Sequence, residues 1–247
     1  MTTRMIVLCT DFGLHGPYVG QVQARLLQDA PGVPVVNLFA DLPPFNARAA
    51  AYLLAAYCEE FPPNSVFLCV VDPGVGSTRR PLIVRTDRHW FVGPDNGLLE
   101  IVARRARCVQ RWEISYAPAR LSASFHGRDL FAPVAAQLAM NKPAPGRPLP
   151  EAETRWQAWP DELFEIVYID GYGNAMTGVR ASAIDKRIRL VVKGQTLAYA
   201  RTFSEAPAEQ PFWYENANGL VEIALKESSA ARVMALQIGD AVTPVNG

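Results

Sequence analysis

The chain has 247 residues, of which 49% are apolar, and it can therefore bury the core of one large domain or of two small ones. Lysine plus arginine and aspartate plus glutamate both number 24, and the pI is near 6.8. This balance excludes a general role in binding nucleic acid or a membrane surface. The apolar run at the N-terminus is too short for a signal peptide, and no segment is expected to span a bilayer.

The cysteines predict a reducing compartment. Cys9, Cys58, Cys69 and Cys108 each occur singly within an apolar segment, and no CxxC spacing is present. This pattern is typical of reduced, buried thiols, and it predicts a cytoplasmic protein.

Strand and helix patterns alternate along residues 1–141. Continuous apolar runs predict strands at 4–9, 33–42 and 65–71, and further strands at "PLIVRT" and "HWFVG". Helical spacing predicts helices at 16–30, at 46–61 after a capping Asn46, and at 130–140. We therefore expect an α/β N-terminal domain with a largely parallel sheet.

The composition changes after residue 141. Residues 142–160 are rich in proline and are predicted to be a linker. Residues 161–247 contain short apolar segments with turn signals, namely "LFEIVYID", "GYGNAMTGV", "IRLVVKG", "QTLAYARTF", "GLVEIALK" and "ARVMALQIGDAV". This pattern predicts an all-β C-terminal domain, a small barrel or a sandwich.

Charged residues follow several predicted strands of the first domain. Asp11 follows the first strand, Asp72 the third, and Asp95 with Asn96 a later one, while "SASFHGRD" contributes His126, Arg128 and Asp129 before a helix. In open α/β sheets, ligands bind outside the carboxyl ends of the strands. These residues are therefore candidates for a site, and the loop "DPGVGSTRR" would bring Arg79 back towards Asp72.

Simpler explanations exist for single residues. Asp11, Asp95 and Asp129 could each cap a turn or a helix, and Asp129 could pair with Arg128. His15 and His89 have no neighbouring motif, which favours surface or structural roles. His126 lies in a turn beside a glycine, where a functional role is as plausible as a structural one.

The segments "TDFG", "PYVG", "DPGVGSTRR", "PDNG", "SFHGRD" and "GYGN" occur in this order along the chain. The ordered set resembles the S-adenosyl-L-methionine (SAM) hydrolases, also called SAM hydroxide adenosyltransferases, which are related to fluorinase and chlorinase. The resemblance covers nearly the whole chain. It implies an α/β N-domain, a β-barrel C-domain, and a homotrimer that binds SAM between the N-domain of one subunit and the C-domain of the next.

The resemblance also implies a catalytic set, which maps onto Asp72, Arg79 and His126. The sulfonium makes methionine a neutral leaving group, so the reaction needs an activated water and no acid. Arg79 would lower the pKa of that water, while Asp72 and His126 orient it or accept its proton. Placing the water in line with C5′ would supply much of the acceleration. No metal and no cofactor are implied.

Substrate-binding residues follow from the same resemblance. Asp11 matches an aspartate that binds the ribose hydroxyls, and Phe45 matches an aromatic position near the nucleoside, although it could instead pack in the core. Asp170 and Asn174 match residues that hold the methionine amine and the adenine edge. Phe203 matches a residue that faces the purine.

The sequence departs from the family pattern at two places. Gly16 replaces an acidic residue of the "DPYVG" motif, and Ala217 replaces a serine of the "NSxG" motif. Asn218 stands where the halogenases carry an arginine, so the methionine carboxylate is expected to depend more on backbone N–H groups. These changes concern substrate affinity more than the type of reaction.

Three alternatives to SAM hydrolysis remain open from the sequence. A halogenase is disfavoured because a halide needs no base and an anionic Asp72 would repel it. A hard-metal hydrolase built on Asp11, Asp72, Asp95 and His126 is weaker because only one histidine is well placed. A nucleoside-binding protein without turnover would use the same pocket.

Overall fold

The computed structural model of the protein describes residues 4–150 and 158–246. The chain folds into two compact units. The N-terminal unit holds the described residues up to Ala55 and those from Phe61 to Pro150. The C-terminal unit holds Ala56–Glu60 and the described residues from Ala158 onward.

The elements of the first 150 residues alternate between strands and helices. They are β1 Ile6–Thr10, α1 Tyr18–Asp29, β2 Val35–Phe39, α2 Ala47–Tyr57, β3 Val66–Val70, β4 Pro81–Thr86, β5 Trp90–Pro94, α3 Glu100–Arg105, β6 Val109–Ile114, α4 Ala132–Ala139 and β7 Gly146–Leu149. A 3₁₀ turn, Cys58–Glu60, follows α2, and a π-helical turn, Gly127–Phe131, precedes α4.

The first sheet is mixed, with the strand order β2-β1-β3-β5-β4-β6-β7. Strands β2, β1, β3 and β5 are parallel, whereas β4, β6 and β7 pair antiparallel. The expected parallel arrangement therefore holds for the part of the sheet that contains β1 and β3. The connection from β4 to β5 spans only residues 87–89, which is long enough for a hairpin but too short for a parallel crossover.

Burial explains why these segments fold as they do. Every residue of β1 and β3 is buried, as expected for strands covered on both faces. Helix α2 begins at its predicted cap, because the Asn46 side chain accepts a hydrogen bond from the backbone N–H of Ala49 at 3.0 Å. Helix α4 packs into the same core as β1 and β3 through Val134 and Leu138.

Several elements of this unit were not predicted. Helix α3 has six residues, too few to produce a recognisable helical period, and β6 follows it closely. Strand β7 lies inside the segment predicted as a linker, 142–160, and pairs with β6. Residues 151–157 of that segment lie outside the described residues, so the predicted domain boundaries remain predictions.

The C-terminal unit is built mainly from short strands. They are β8 Leu163–Ile169, β9 Ala175–Arg180, β10 Arg189–Val192, β11 Gln195–Tyr199, β12 Phe212–Glu215, β13 Leu220–Ala224 and β14 Thr243–Val245, with a short helix α5 at Ala230–Val233. The strand order is β14-β10-β11-β12-β13-β9-β8.

The second sheet curls into a half-barrel. Within the described residues, one bridge, between Glu165 and Ala241, and three backbone hydrogen bonds join β8 to the segment that precedes β14. The prediction of two domains, the second built on a β-sheet, is confirmed. The prediction of a barrel is confirmed only in part, because no continuous ladder of the described residues joins β8 to β14.

The predicted strand over 231–242 is wrong: Ser229 accepts a hydrogen bond from the N–H of Arg232 and caps α5 there. Strand β12 was missed because its four residues, "FWYE", carry no alternation.

The cysteine prediction holds in part. Cys9, Cys58 and Cys69 are buried, but Cys108 is exposed, and all four are free thiols. In the described parts of the chain, no helix has the length and apolarity needed to cross a membrane.

Candidate active site

The carboxyl ends of three parallel strands bring the predicted residues to one edge of the first sheet. Strand β3 lies between β1 and β5. The N–H of Asp11, which follows β1, donates to the carbonyl of Val70 at the end of β3 (3.3 Å). The side chain of Asn96, which follows β5, donates to the carbonyl of Val71 at 2.7 Å. Asp11, Asp72 and Asn96 therefore lie together at the carboxyl end of the parallel strands.

Asp72 and Arg79 form a buried ion pair within the loop that joins β3 to β4. Arg79 Nε lies 2.8 Å from Oδ1 and 2.9 Å from Oδ2 of Asp72, and Arg79 Nη2 also donates to Oδ2. The side chains of Arg79 and Asp72 are only 9% and 4% exposed. The guanidinium also lies 5.2 Å from the ring centre of Phe131. Such burial distinguishes this pair from a surface salt bridge.

His126 completes the cluster through Arg79. Arg79 Nη2 lies 3.1 Å from His126 Nδ1. A guanidinium only donates hydrogen bonds, so Nδ1 must be the acceptor, and the neutral ring then carries its proton on Nε2. Burial, followed by the positive charge of Arg79, lowers the pKa of His126 below its ordinary value. Both the contact and the pKa therefore favour the neutral imidazole.

Asp11 lies close to this cluster. Its Oδ2 accepts a hydrogen bond from the backbone N–H of Phe45 at 3.1 Å. Burial is the main cause that raises the pKa of Asp11, and the negative charge of Asp72 adds to it. Phe45 itself is 77% exposed, so the alternative that it packs in the core is wrong. Its φ of 61° is unusual for a residue other than glycine.

A cavity of about 110 Å³ lies between Asp11, Asp72 and His126. Its lining includes the predicted residues Asp11, Phe45, Asp72 and His126. Two rings that were not predicted, Phe12 and Phe125, also line the cavity. They contact each other edge to face, with 5.6 Å between their centres. Phe12 directly follows Asp11, and Phe125 directly precedes His126. These neighbouring positions are the sequence feature that could have identified the two rings.

Gly76 allows the Asp72–Arg79 loop to lie against the loop that carries His126. Its φ is +80°, and a Cβ at this position would lie 2.7 Å from the carbonyl oxygen of Ala123. Any side chain here would push the two loops apart.

Other polar residues of this edge have structural partners. Asp95 pairs with Arg80 at 2.9 Å, and Asp129 pairs with Arg128 at 2.6 Å, in line with the simpler explanation for Asp129. The side chain of Asn96 also accepts the N–H of Leu98 in a turn, but α3 has no side-chain cap.

His89 takes the structural role that its sequence context favours. It is buried in the core of the first unit, and its ring contacts Phe67 edge to face, with 5.2 Å between ring centres. It does not line the cavity that contains His126.

The described residues of this site offer no set of metal ligands for the metal-hydrolase alternative. Asp72 is held by Arg79, and Asp95 is held by Arg80. Throughout residues 4–150 and 158–246, no three His, Cys, Asp or Glu side chains converge as metal ligands would.

The C-terminal unit contains a second, larger cavity of about 1010 Å³. Its lining includes the predicted residues Asp170, Asn174 and Phe203. Asp170 Oδ1 accepts hydrogen bonds from the N–H groups of Tyr172 and Asn174, both at 2.9 Å, and its Oδ2 accepts one from the Asn174 side chain at 3.2 Å. Asp170 therefore shapes the loop on which Asn174 lies.

Residues of the segment before and within α5 form the opposite side of this cavity. They include Glu227, Ser228, Ser229 and Arg232, and none of them was predicted. Gly173 has a φ of +83°, and a Cβ there would lie 2.0 Å from Ser229 Oγ. The "GYGN" loop and α5 can thus pack closely only because residue 173 is glycine. No sequence signal pointed to this contact, since the pattern over 231–242 predicts a strand.

Among the predicted site residues, Arg79 and Asn218 line neither cavity, and only Arg79 contacts residues that do, namely Asp72 and His126. Within the described part of the chain, Asn218 makes no such contact. It belongs to the turn between β12 and β13, where its N–H donates to the side chain of Asn216 at 3.0 Å. Ala217, beside it, is exposed. Gly16, the other departure from the family pattern, has a φ of +121°, which an acidic residue would rarely adopt.

The family described as SAM hydroxide adenosyltransferase matches both units of the chain. Its N-terminal domain matches residues 6–146, and its C-terminal domain matches residues 164–243.

Curated relatives cover almost the full chain. A protein of Thermus thermophilus named (R)-S-adenosyl-L-methionine hydrolase is 37% identical over 96% of this chain and 97% of its own. A protein with the same name from Salinispora arenicola is 33% identical over 97% of both chains. A fluorinase from an Actinoplanes species is more distant, at 24% identity over 97% of this chain and 96% of its own.

Solved structures share the fold. A conserved protein from Thermotoga maritima, described as uncharacterized, superposes with a TM-score of 0.87 at 31% identity, covering 98% of this chain and 100% of its own. A conserved hypothetical protein from Thermus thermophilus superposes with a TM-score of 0.76 at 34% identity, over the same shares of the two chains.

Proposed function

The chain belongs to the SAM hydroxide adenosyltransferase family, and on that premise we propose that it hydrolyses S-adenosyl-L-methionine to adenosine and L-methionine. The observation that carries this proposal is that Asp11, Asp72 and His126 line one cavity, while Arg79 contacts both Asp72 and His126. The names of the full-length relatives support the same reaction.

In the proposed reaction, a water oxygen attacks C5′ of the ribose. The C5′–S bond breaks, its electron pair returns to sulfur, and L-methionine leaves as a neutral thioether. The water loses one proton in forming the 5′-hydroxyl of adenosine, and that proton passes to a side chain and then to solvent. The site must therefore place one water in line with the C5′–S bond and supply one proton acceptor.

We assign proton acceptance to Asp72 and water orientation to His126. The Nδ1 lone pair of His126 faces Arg79, so the outward nitrogen is Nε2–H, which donates and cannot accept. The carboxylate of Asp72 has about four acceptor positions, of which the contacts with Arg79 use three. Arg79 would hold the two groups together and stabilise the developing hydroxide charge.

The substrate-binding roles follow from where the predicted residues lie. Asp11 would accept hydrogen bonds from the ribose hydroxyls beside the exposed ring of Phe45. In the C-terminal cavity, Asp170 and Asn174 would hold the methionine amine and the adenine edge, and Phe203 would face the purine. Asn218, in the turn between β12 and β13, would lie near the methionine carboxylate.

The oligomer and the compartment are also proposals. We infer a homotrimer that binds SAM between the N-terminal unit of one subunit and the C-terminal unit of the next, which the family resemblance supports. A monomeric mass by light scattering at saturating SAM would contradict it.

The four free thiols support a cytoplasmic location. Secretion of the native chain with oxidised cysteines would contradict that location.

The proposed function is tested by incubating the pure protein with SAM and following the products by chromatography. We expect equal amounts of adenosine and L-methionine, an unchanged rate with chelator, and no 5′-chloro-5′-deoxyadenosine in chloride buffer. Binding of SAM without turnover would favour the non-catalytic alternative. A 5′-halo product would instead favour the halogenase.

The pH dependence should reveal the neutral state of His126. Protonation would place a donor on Nδ1 against the donor of Arg79 and break their contact. Because burial and Arg79 lower the pKa of His126 below 6.5, kcat/KM should stay level from about pH 8 to about pH 6.5 and fall only at lower pH. A pH–rate profile of the wild type measures this. His15→Asn is the control and should keep the same profile; an acid limb centred above about pH 7 would contradict the assignment.

A further inference from the structure

A buried carboxylate of the C-terminal unit has no role in the chemistry described above. Glu222, in the middle of β13, is 2% exposed. Within the described residues it forms no ion pair, and burial raises its pKa. Burying a carboxylate without a cation is unfavourable, and a hydrophobic residue would serve a purely structural purpose better.

Both oxygens of Glu222 are used as acceptors. The hydroxyl of Tyr214, its direct partner across the β12–β13 ladder, donates to Oε1 at 2.5 Å. The side-chain amide of Asn216 donates to Oε2 at 2.8 Å. The Asn216 amide can only donate to Oε2, whereas the Tyr214 hydroxyl can donate to Oε1 or accept a proton from it, so the two contacts hold the carboxyl group of Glu222 in one orientation in either protonation state.

The fixed ring of Tyr214 supports an aromatic wall. Phe203 packs edge to face on Tyr214, with 5.2 Å between ring centres, and edge to face on Phe212 at 5.3 Å. Phe203 in turn lines the C-terminal cavity, and it is 37% exposed. The contacts therefore run without a gap from Glu222 through Tyr214 to a cavity wall.

We propose that Glu222 is a positioning residue for the purine ring of the substrate, acting through Tyr214 on Phe203. This inference rests on the proposed function only in naming SAM as the source of the purine. A flat aromatic wall recognises a purine by stacking or edge contact, and its contribution depends on the ring being held in one orientation. Glu222 supplies that constraint without touching the ligand.

The test compares Glu222→Gln and Tyr214→Phe with the wild type. Gln keeps the size of Glu222 but replaces one acceptor oxygen with an NH₂ group, which either opposes the Asn216 amide or forces the Tyr214 hydroxyl to accept. Phe keeps the ring of Tyr214 and removes only its hydroxyl, so this variant tests the inference even if Glu222→Gln does not fold. We expect KM for SAM to rise about tenfold in Glu222→Gln and about threefold in Tyr214→Phe, with kcat within about twofold of wild type.

Calorimetric titration provides a readout that does not depend on turnover. The Kd for adenosine should rise by the same factors, whereas the Kd for L-methionine should not change. Glu162→Gln is the matched control, because Glu162 also accepts hydrogen bonds from a neighbour in this unit, Arg180, but does not line the cavity. It should leave both Kd values unchanged.

The outcomes separate the two proposals. Lower melting temperatures in Glu222→Gln and Tyr214→Phe with unchanged KM and adenosine Kd would overturn the positioning role and leave SAM hydrolysis intact. A wild type that fails to turn over SAM would overturn the proposed function. In that case, weaker adenosine binding by the two variants would still support the positioning role.

Discussion

Asp72→Asn and Arg79→Ala are each expected to lower kcat about 100-fold or more, the usual scale for a positioned acid–base group. Asn keeps the shape of Asp72 but cannot accept a proton at neutral pH. Ala at 79 removes the cation that faces both Asp72 and His126. The Kd for SAM should change by less than about threefold, because the proposed substrate contacts lie on other residues. Steady-state kinetics and calorimetry measure the two quantities.

The double variant should be little worse than either single variant, since groups that act as a unit fail together. The neighbouring pair provides a matched control: Arg80 and Asp95 lie 2.9 Å apart, and their side chains are 18% and 8% exposed. Asp95→Asn and Arg80→Ala should alter thermal stability without a comparable loss of kcat. Near-normal kcat in both Asp72→Asn and Arg79→Ala would mean that the buried pair only stabilises its loop.

Asp11→Ala is expected to raise the Kd for SAM about 10- to 100-fold, with a smaller effect on kcat. The variant removes a charged acceptor that would take hydrogen bonds from the ribose hydroxyls, and hydrogen bonds to charged groups contribute more than neutral ones. It also frees the N–H of Phe45, which Asp11 now holds. Calorimetric titration with SAM and with adenosine gives the Kd values.

A 2′,3′-dideoxy analogue of SAM identifies the contact that is lost. The wild type should bind the analogue about as weakly as Asp11→Ala does, and the variant should no longer distinguish it from SAM. Asp29→Asn is the control, because Asp29 is an aspartate of the same unit that lies at the end of α1, pairs with Arg25 and does not line the cavity. A variant that still prefers SAM over the analogue by the wild-type factor would exclude Asp11 from ribose binding.

The residues of the N-terminal cavity could be predicted where they follow strands directly. An apolar run that ends at an aspartate fixes that aspartate at the end of a strand, and parallel strands bring such ends together. Asp11 and Asp72 are of this kind. His126 is not, because residues 115–126 form no strand, and its position depends on loop packing that includes Gly76 and Ala123. Only the family resemblance linked His126 to the pair.

The C-terminal cavity was harder to predict. Asp170 and Asn174 belong to one short motif, but the opposite wall is formed by residues around α5, which has only four residues. So short a helix has no period to detect, and its start depends on a cap at Ser229 and a close approach at Gly173.

Glu222 was hidden for another reason. It lies in an apolar strand, where a single acidic residue gives no indication of a buried role. Only cross-strand pairing reveals that Tyr214 and Asn216 face it.

The sheet topology shows the same limit. The alternation of strands and helices correctly predicted the parallel pairing of β1 with β3. The antiparallel hairpin of β4 and β5 depends on the length of their connection, and β7 joins the sheet by pairing with β6 at its edge. These are properties of the assembled sheet, and no local pattern of "PLIVRT" or "GRPL" encodes them.

The origin of the oxygen in the product tests the central claim most directly. In single-turnover experiments in H₂¹⁸O, attack of a held water on C5′ predicts one ¹⁸O atom at the 5′-position of adenosine and none in L-methionine, as read by mass spectrometry of both products. In Asp72→Asn, the ¹⁸O-labelled adenosine should form at the lowered kcat of that variant. Adenosine without ¹⁸O, or release of free adenine or methylthioadenosine in its place, would contradict the account.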